Sequence, residues 1–122
     1  MILIPYCGSG HWSLTAVVNP GAVSSAITYP YTKDDKRKCC FIFMDPYERL
    51  YHDTANIFPH VKRWLAAQWR YHYKTDKTLD WSSTVLCPDV PKQPPSNGYD
   101  CGVYVCLYAN ALYNTGASSF TQ

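Results

Sequence analysis

The sequence predicts one domain that combines a β-sheet with α-helices. Its 122 residues, 47% of them apolar, suffice to bury a core. Residues 11–18 alternate between apolar and polar side chains, and residues 39–44 form a continuous apolar run, two patterns that are typical of strands. Apolar side chains in residues 57–73 recur every three or four positions, which indicates a helix. We therefore expect strands and helices around one core.

The N-terminal part predicts two strands. Residues 2–5 are a short apolar strand, residues 6–10 a glycine-containing loop, and residues 11–18 a strand whose even-numbered positions, from Trp12 to Val18, form the more buried face. His11 lies at the entry of this second strand. A histidine at such a place is usually exposed or caps a turn, but histidine is also the commonest acid–base residue of enzymes.

The next part predicts a loop and a buried strand that ends at an aspartate. Residues 19–38 contain breakers and the charged run 33–38, which favours a solvated insertion, with contact to a partner as the alternative. Residues 39–44 read as a strand buried on both faces that delivers Asp45 at its end, where functional groups are commonly fixed. The alternative for Asp45 is a turn residue, and nearby Asp53 reads as a loop residue or helix cap.

A helix is predicted over residues 57–73, with Asn56 as its N-cap and Pro59 in its first turn. A polar connection, residues 74–80, leads to a strand over residues 81–87. The loop that follows, residues 88–95, contains several prolines, and these stiffen the backbone around Gln93.

Residues 93–106 run from a turn-forming loop into a second helix, and Cys101 stands at the junction. Asn97 and Gly98 tolerate positive φ, and the Asp100 carboxylate is expected to cap the helix by accepting a backbone N–H of its first turn. Unpaired N–H groups at a helix start favour a thiolate, so we predict a reactive Cys101. The alternative is a buried apolar cysteine, as expected for Cys106. Residues 114–116 read as the C-cap.

Composition excludes several classes of protein. A formal net charge of +2 does not suggest a nucleic-acid binder, and no apolar run is long enough to span a bilayer. The six cysteines include no Cys-x-x-Cys pair, which argues against a structural zinc site and a thioredoxin-like motif. No signal peptide is recognisable. We therefore expect a soluble intracellular protein. We further expect a monomer, located in the nucleus and/or the cytoplasm, that needs no cofactor.

Four residues together supply the parts of a thiol hydrolase. His11 is expected to act as general base, Asp45 to orient it, the Gln93 amide and the Cys101 backbone N–H to meet an oxyanion, and Cys101 to be the nucleophile. The order of these residues differs from that in papain-like sequences, in which cysteine comes first.

These residues lie in recognisable motifs: Ile4-Pro5, His11-Trp12, Phe43-Met44-Asp45, Pro91-Lys92-Gln93 and residues 97–104, Asn-Gly-Tyr-Asp-Cys-Gly-Val-Tyr. Together they resemble the SUMO-specific ubiquitin-like protease family, also called sentrin proteases, over nearly the whole chain. Residues 86–93 and the charged insertion are most similar to the branch that acts on SUMO chains.

The resemblance implies a papain-like α+β fold with a central mixed sheet flanked by helices, and no metal. It implies cleavage after the diglycine C-terminus of SUMO or a related ubiquitin-like modifier, so that the partners are this modifier and its conjugates. Trp12 matches the tryptophan that covers the narrow tunnel for the two glycines; the alternative is a core aromatic residue. Pro46 replaces the serine that commonly follows the family's aspartate.

The resemblance also implies that residues 1–122 are a partial catalytic domain, truncated at both ends. The family's domain begins upstream of the histidine strand and continues past the Phe-Thr-Gln at positions 120–122. Two alternatives to the protease therefore stay open. One is a catalytically inert fragment that binds the modifier, and the other is an acyltransferase on the same His-Asp-Cys scaffold.

Overall fold

The computed structural model describes residues 1–23, 39–49, 51–74 and 84–116. In chain order the elements are β1 (Ile2–Gly8), β2 (His11–Val18), a 3₁₀ turn (Pro20–Val23), β3 (Cys40–Met44), α1 (Thr54–Tyr73), β4 (Thr84–Leu86) and α2 (Cys101–Thr115). The strands form one sheet in the order β1-β2-β3-β4. The first two pairings are antiparallel and the pairing of β3 with β4 is parallel, so the sheet is mixed, as expected.

A tight hairpin joins β1 to β2. Ser9 and Gly10 both have positive φ, 52° and 78°, as in the two-residue turns that match the twist of a hairpin. This turn pairs Gly8 with His11, so β1 continues through most of the predicted loop 6–10. The prediction of a strand limited to residues 2–5 was too short, because the hairpin register depends on the turn. Pro5 is compatible with β1, which pairs with β2 alone among the described strands.

The two helices cover opposite faces of the sheet. One apolar cluster joins α1 to one face and contains Val17, Cys39, Phe41, Phe43, Ile57, Phe58, Val61 and Leu65. The other joins α2 to the opposite face and contains Leu14, Ala16, Ile42, Met44, Val90, Val105, Tyr108 and Leu112. Ser13 and Thr15 on β2 are consequently buried as well. The predicted difference in burial between the two faces of β2 is therefore absent.

The start of α1 differs from the prediction. Asp53 is its N-cap, and the Asp53 carboxylate accepts the backbone N–H of Ala55 at 2.8 Å. The helix therefore begins at Thr54 rather than at residue 57, and the prediction of Asn56 as the cap was wrong. Pro59 lies inside the helix. Of the two roles considered for Asp53, loop residue and helix cap, the structure shows the cap.

The other boundaries agree with the sequence to within one residue where the structure describes them. Helix α2 begins at Cys101, and Gly116 follows it as the C-cap with φ 74°. The charged run 33–38, most of the polar connection 74–80 and residues 81–83 of the predicted fourth strand lie outside the described residues. Among the described residues, neither α-helix combines the length and the hydropathy that crossing a bilayer requires.

Replacing Asp53 by alanine tests the cap. The Ala55 N–H would lose its acceptor, so we expect the free energy of unfolding to fall by about 0.5–2 kcal/mol in urea titrations. Asn56→Ala is the matched control, because Asn56 is exposed and lies within the helix. It should change the free energy by less than about 0.5 kcal/mol. A larger loss for Asn56→Ala than for Asp53→Ala would contradict the assignment.

Candidate active site

The start of β2 and the end of β3 meet at one edge of the sheet because the two strands are antiparallel. His11 is the first residue of β2, and Asp45 directly follows β3. His11 Nε2 lies 2.7 Å from Asp45 Oδ1, and the two residues are 3% and 0% exposed. The structure thus brings together two of the four predicted site residues in a buried hydrogen bond, although they are far apart in sequence.

The Asp45 carboxylate is surrounded by backbone donors. The N–H of Tyr47 donates to Oδ1 at 2.9 Å, and the N–H groups of Tyr51 and His52 donate to Oδ2 at 2.9 and 3.2 Å. Such bonds stabilise the charged form of a buried carboxylate. Since this carboxylate only accepts, His11 Nε2 is assigned the hydrogen, and Nδ1 of the neutral ring is left as an acceptor. An imidazole in this tautomer can take up a proton at Nδ1.

The ring of His11 is packed among aromatic side chains of the segment that follows Asp45. Tyr47 stacks on it with ring centroids 4.3 Å apart and an angle of 20° between the planes. Tyr51 and His52 lie at 4.8 and 5.1 Å in tilted arrangements. These contacts restrict the orientation of the imidazole and, with the backbone donors, bury its bond to Asp45.

Sequence reasoning missed Tyr47, Tyr51 and His52. Residues 51–53 read as a polar segment that no strand fixes, so no role was predicted for Tyr51 or His52. The signal that could have pointed to them is the density of aromatic side chains directly after the strand-end Asp45. The segment is held in place by its own N–H groups on the carboxylate, a contact that no local sequence pattern encodes.

The loop that carries Gln93 is hydrogen-bonded to the start of the segment from residue 45 to residue 53, which we call the Asp45 segment. The Gln93 backbone N–H donates to the Pro46 carbonyl at 2.7 Å, and Lys92 Nζ donates to the Asp45 carbonyl at 3.0 Å. From the other side, the Tyr108 hydroxyl on α2 donates to the Pro91 carbonyl. Pro46, where the family commonly has serine, is therefore compatible with the arrangement, because this contact uses only its carbonyl.

Tyr108 is kept in its protonated form. Burial raises the pKa of its hydroxyl, and the negative charge of Asp45 and the neighbouring Tyr104 raise it further. The hydroxyl is thus a donor over the physiological range of pH, as its bond to Pro91 requires.

The side chain of Gln93 is buried, but its amide hydrogens point into its own loop. The NH₂ group donates to the Asn97 carbonyl and, at 3.3 Å, to Asn97 Oδ1. Gln93 Oε1 is buried and has no hydrogen-bond partner among the described residues. The Gln93 amide, the predicted oxyanion donor, therefore lies next to the loop that precedes Cys101. Its N–H groups are engaged by Asn97 of that loop.

Cys101 is the first residue of α2 and is 5% exposed. Asp100 occupies the N-cap position as predicted, but its carboxylate makes no cap bond and instead accepts Asn97 Nδ2 at 2.6 Å. The predicted bond from the Asp100 carboxylate to a first-turn N–H was therefore wrong. Asn97 competes for this carboxylate, and the first-turn N–H groups of α2 are not occupied by it.

The loop before Cys101 is organised by the side chain of Asn97 rather than by a left-handed backbone. Asn97 Oδ1 accepts the N–H groups of Tyr99 and Asp100 at 3.2 and 3.1 Å. The positive φ that Asn97 and Gly98 could have supplied is not used. A side-chain acceptor can define a turn without that conformation.

Trp12 connects the His11 strand to the Cys101 helix. An indole carbon of Trp12 lies 3.7 Å from the position that a Cβ on Gly102 would take. Trp12 follows His11 and Gly102 follows Cys101, so the start of β2 and the first turn of α2 are adjacent. The alternative of a core aromatic residue is wrong, since Trp12 is 40% exposed.

Three buried side chains at this edge form a potential metal-ligand set. One donor atom each from His11, Asp45 and His52 lie within 4.8 Å of one another. Both ring nitrogens of His52 are within hydrogen-bonding distance of other groups, Ser13 Oγ and the Gly8 carbonyl. A metal ion would have to displace these contacts as well as the bond between His11 and Asp45.

Comparison with known proteins gives consistent results. The family model described as "Ulp1 protease family, C-terminal catalytic domain" matches residues 1–122. The chain is 26% identical over 124 residues to "Sentrin-specific protease 2" of Mus musculus and of Homo sapiens, covering 100% of this chain and 17% of each relative. It is 26% identical over 121 residues to "Ubiquitin-like protease 2" of Caenorhabditis elegans, covering 92% of this chain and 14% of that protein. The chain thus spans less than a fifth of the length of these relatives.

The raised pKa of Tyr108 predicts loss of stability in alkali. Above about pH 10 the unfolded chain would lose the tyrosine proton while the folded chain keeps it. The free energy of unfolding should then fall by up to about 1.4 kcal/mol per pH unit from this group. Tyr108→Phe removes this contribution, so its stability should decline less steeply between pH 9 and 11 in urea titrations. Tyr113→Phe, at an exposed position of α2, is the control. Equal slopes for wild type and Tyr108→Phe would contradict the assignment.

Proposed function

The chain belongs to the Ulp1 protease family, and from this premise we propose that it is a cysteine-type isopeptidase that cleaves after the C-terminal diglycine of SUMO or a related ubiquitin-like modifier. The observation that carries the proposal is the buried bond between His11 Nε2 and Asp45 Oδ1 at 2.7 Å, at the edge where α2 begins with Cys101. Family membership further implies the papain-like cysteine protease fold. The mixed sheet, with α2 on one face and α1 on the other, is consistent with it.

In the proposed reaction His11 works from the ring nitrogen that Asp45 does not use. Nδ1 takes the proton of the Cys101 thiol, and the thiolate attacks the carbonyl carbon of the terminal glycine. Asp45 holds the ring in its tautomer and stabilises the imidazolium that forms. His11 then gives the proton to the leaving lysine amine, which leaves a thioester on Cys101. Water, deprotonated by His11, hydrolyses this thioester and regenerates the thiol.

The tetrahedral intermediates carry an oxyanion that needs preorganised donors. We assign this role to the Cys101 backbone N–H and to the Gln93 amide, which is buried and fastened to the Asp45 segment through its backbone N–H. The Asp100 carboxylate is engaged by Asn97 and does not occupy the first turn of α2. The first-turn N–H groups of α2 are therefore not bonded to this carboxylate.

The proposed specificity for glycine depends on Trp12. A carbon of the half-exposed indole lies 3.7 Å from the position that a Cβ on Gly102 would take, so the indole is close to the start of α2. We propose that the two glycines of the modifier bind beside this indole, next to the first turn of α2. A substrate side chain would have no room there. The choice of SUMO rests on the similarity to relatives that are named as sentrin-specific proteases.

One observation favours the inert modifier-binding alternative. The NH₂ group of the Gln93 amide donates to two oxygen atoms of Asn97, so the predicted oxyanion donor is already engaged. In that case the modifier would bind without being cleaved. No comparable observation among the described residues favours an acyltransferase.

A covalent probe tests the nucleophile. SUMO with an electrophile in place of its C-terminal glycine carboxylate should form an adduct with the wild-type chain, visible as a shift in mass. Cys101→Ser should abolish the adduct, because a serine hydroxyl is a far weaker nucleophile. Cys106→Ser, at an exposed position of the same helix, should still form it. Binding of SUMO by calorimetry without any adduct would instead select the inert alternative.

Gln93→Ala tests the oxyanion donor. Loss of one such donor should lower kcat about 10²–10³-fold, measured on a fluorogenic diglycine-ended modifier. Gln68→Ala on α1 is the control and should leave kcat unchanged. A decrease of only two- or threefold for Gln93→Ala would remove this residue from the site.

A further inference from the structure

His52 bridges the two strands of the β1–β2 hairpin. The residue is 8% exposed and lies in the segment that follows Asp45, directly before the N-cap of α1. Its Nε2 is 3.1 Å from the Gly8 carbonyl on β1, and its Nδ1 is 2.8 Å from Ser13 Oγ on β2. An imidazole buried with both nitrogens in hydrogen-bonding contact has a defined orientation.

The two groups that His52 contacts flank His11. Gly8 is the residue paired with His11 across the hairpin. Ser13 lies two residues after His11 and therefore on the same face of β2. The His52 ring consequently spans the end of the hairpin on both sides of His11, with the two imidazole centroids 5.1 Å apart.

His52 also holds Asp45, through its backbone. Its N–H donates to Asp45 Oδ2 at 3.2 Å, whereas His11 bonds Oδ1. One residue thus fixes the hairpin that carries the imidazole and the carboxylate that orients it. Among the described contacts, the His11 and Asp45 side chains are therefore connected in two ways: directly by the hydrogen bond between them, and indirectly through His52.

The hydrogen bonds define the tautomer of His52. The Gly8 carbonyl can only accept, so Nε2 carries the hydrogen, and Nδ1 of the neutral ring accepts from the Ser13 hydroxyl. Both nitrogens are then occupied. His52 has no free lone pair with which to act as a base, and its role must be exerted through the groups it contacts.

We propose that His52 is a positioning residue for the reaction. By fastening the Asp45 segment to the hairpin on both sides of His11, it keeps the His11 imidazole in register with Asp45, so that Nδ1 stays directed to the reacting thiol. The kinetic consequence of this proposal rests on the proposed function. Its structural consequence is a single tautomer and orientation of His11, which does not require a substrate.

The kinetic experiment compares two variants of His52 with a matched control. His52→Leu fills the space without hydrogen bonds, and His52→Gln retains an NH₂ group that can reach the Gly8 carbonyl. We expect kcat per active site, titrated with the electrophile-ended modifier, to fall about tenfold in His52→Leu with KM unchanged, the order expected for two lost hydrogen bonds. His52→Gln should recover at least half of this loss on a logarithmic scale. His60→Leu, at an exposed histidine of α1, should behave as wild type.

A second readout is independent of catalysis. Long-range ¹H–¹⁵N spectra of the histidine side chains should show His11 as the Nε2–H tautomer in the wild-type chain and as a mixture of tautomers in His52→Leu. This measurement stands even where the chain proves inactive towards the modifier, and it thereby separates failure of the positioning role from failure of the proposed function.

Two results would overturn the proposal. One is an unchanged kcat per titrated site in His52→Leu together with an unchanged His11 tautomer. The other is a loss of folded protein alone, in which the titrated fraction decreases and the remaining sites turn over at the wild-type rate. If His52→Leu does not fold, Ser13→Ala, which removes one of the two ring contacts, decides by the same criteria, with an expected decrease of about threefold.

Discussion

A carboxylate without exposed surface, such as that of Asp45, is tolerated only where hydrogen-bond donors surround it. Four donors do so here, the imidazole of His11 and the N–H groups of Tyr47, Tyr51 and His52. Three of these donors lie in the segment that follows Asp45 itself. This segment is therefore held around the carboxylate by its own backbone N–H groups. Everything else in the site is positioned relative to this bond, which links the start of β2 to the end of β3.

Hydrogen bonds to backbone carbonyls connect Asp45 and Pro46 to the loop that carries Gln93. The carbonyls of Asp45 and Pro46 accept Lys92 Nζ and the Gln93 N–H, and α2 holds the same loop from the opposite side through Tyr108. Helix α2 is itself packed on the sheet face that carries Leu14 and Met44. The histidine, the aspartate, the glutamine and the cysteine therefore stand on elements that share one core and are tied together at one edge of it.

The sequence was informative where the signal is local. A strand that ends at Asp45, a strand that begins at His11 and a helix that begins at Cys101 follow from periodicity and breakers, and the structure has all three. Predictions failed where two local signals compete: Asp53 rather than Asn56 caps α1, and Asn97 takes the carboxylate that was expected to cap α2. The contacts of Tyr47 and His52 with His11 depend on how a loop closes in three dimensions, and no spacing rule encodes that closure.

The segment from residue 45 to residue 53 shows why structural and chemical demands coincide at Asp45. Its Oδ1 accepts from His11 and Tyr47, and its Oδ2 from Tyr51 and His52. An asparagine in this place would turn its NH₂ group towards at least one backbone N–H in either orientation of the amide, leaving a donor unpaired in a buried site. A substitution of Asp45 would thus disturb the loop that holds the histidine as well as the charge that would stabilise an imidazolium in the proposed reaction. The charge and the fold around it cannot be changed separately at this residue, because three of its four partners are backbone N–H groups that a substitution of the partner residue would leave in place.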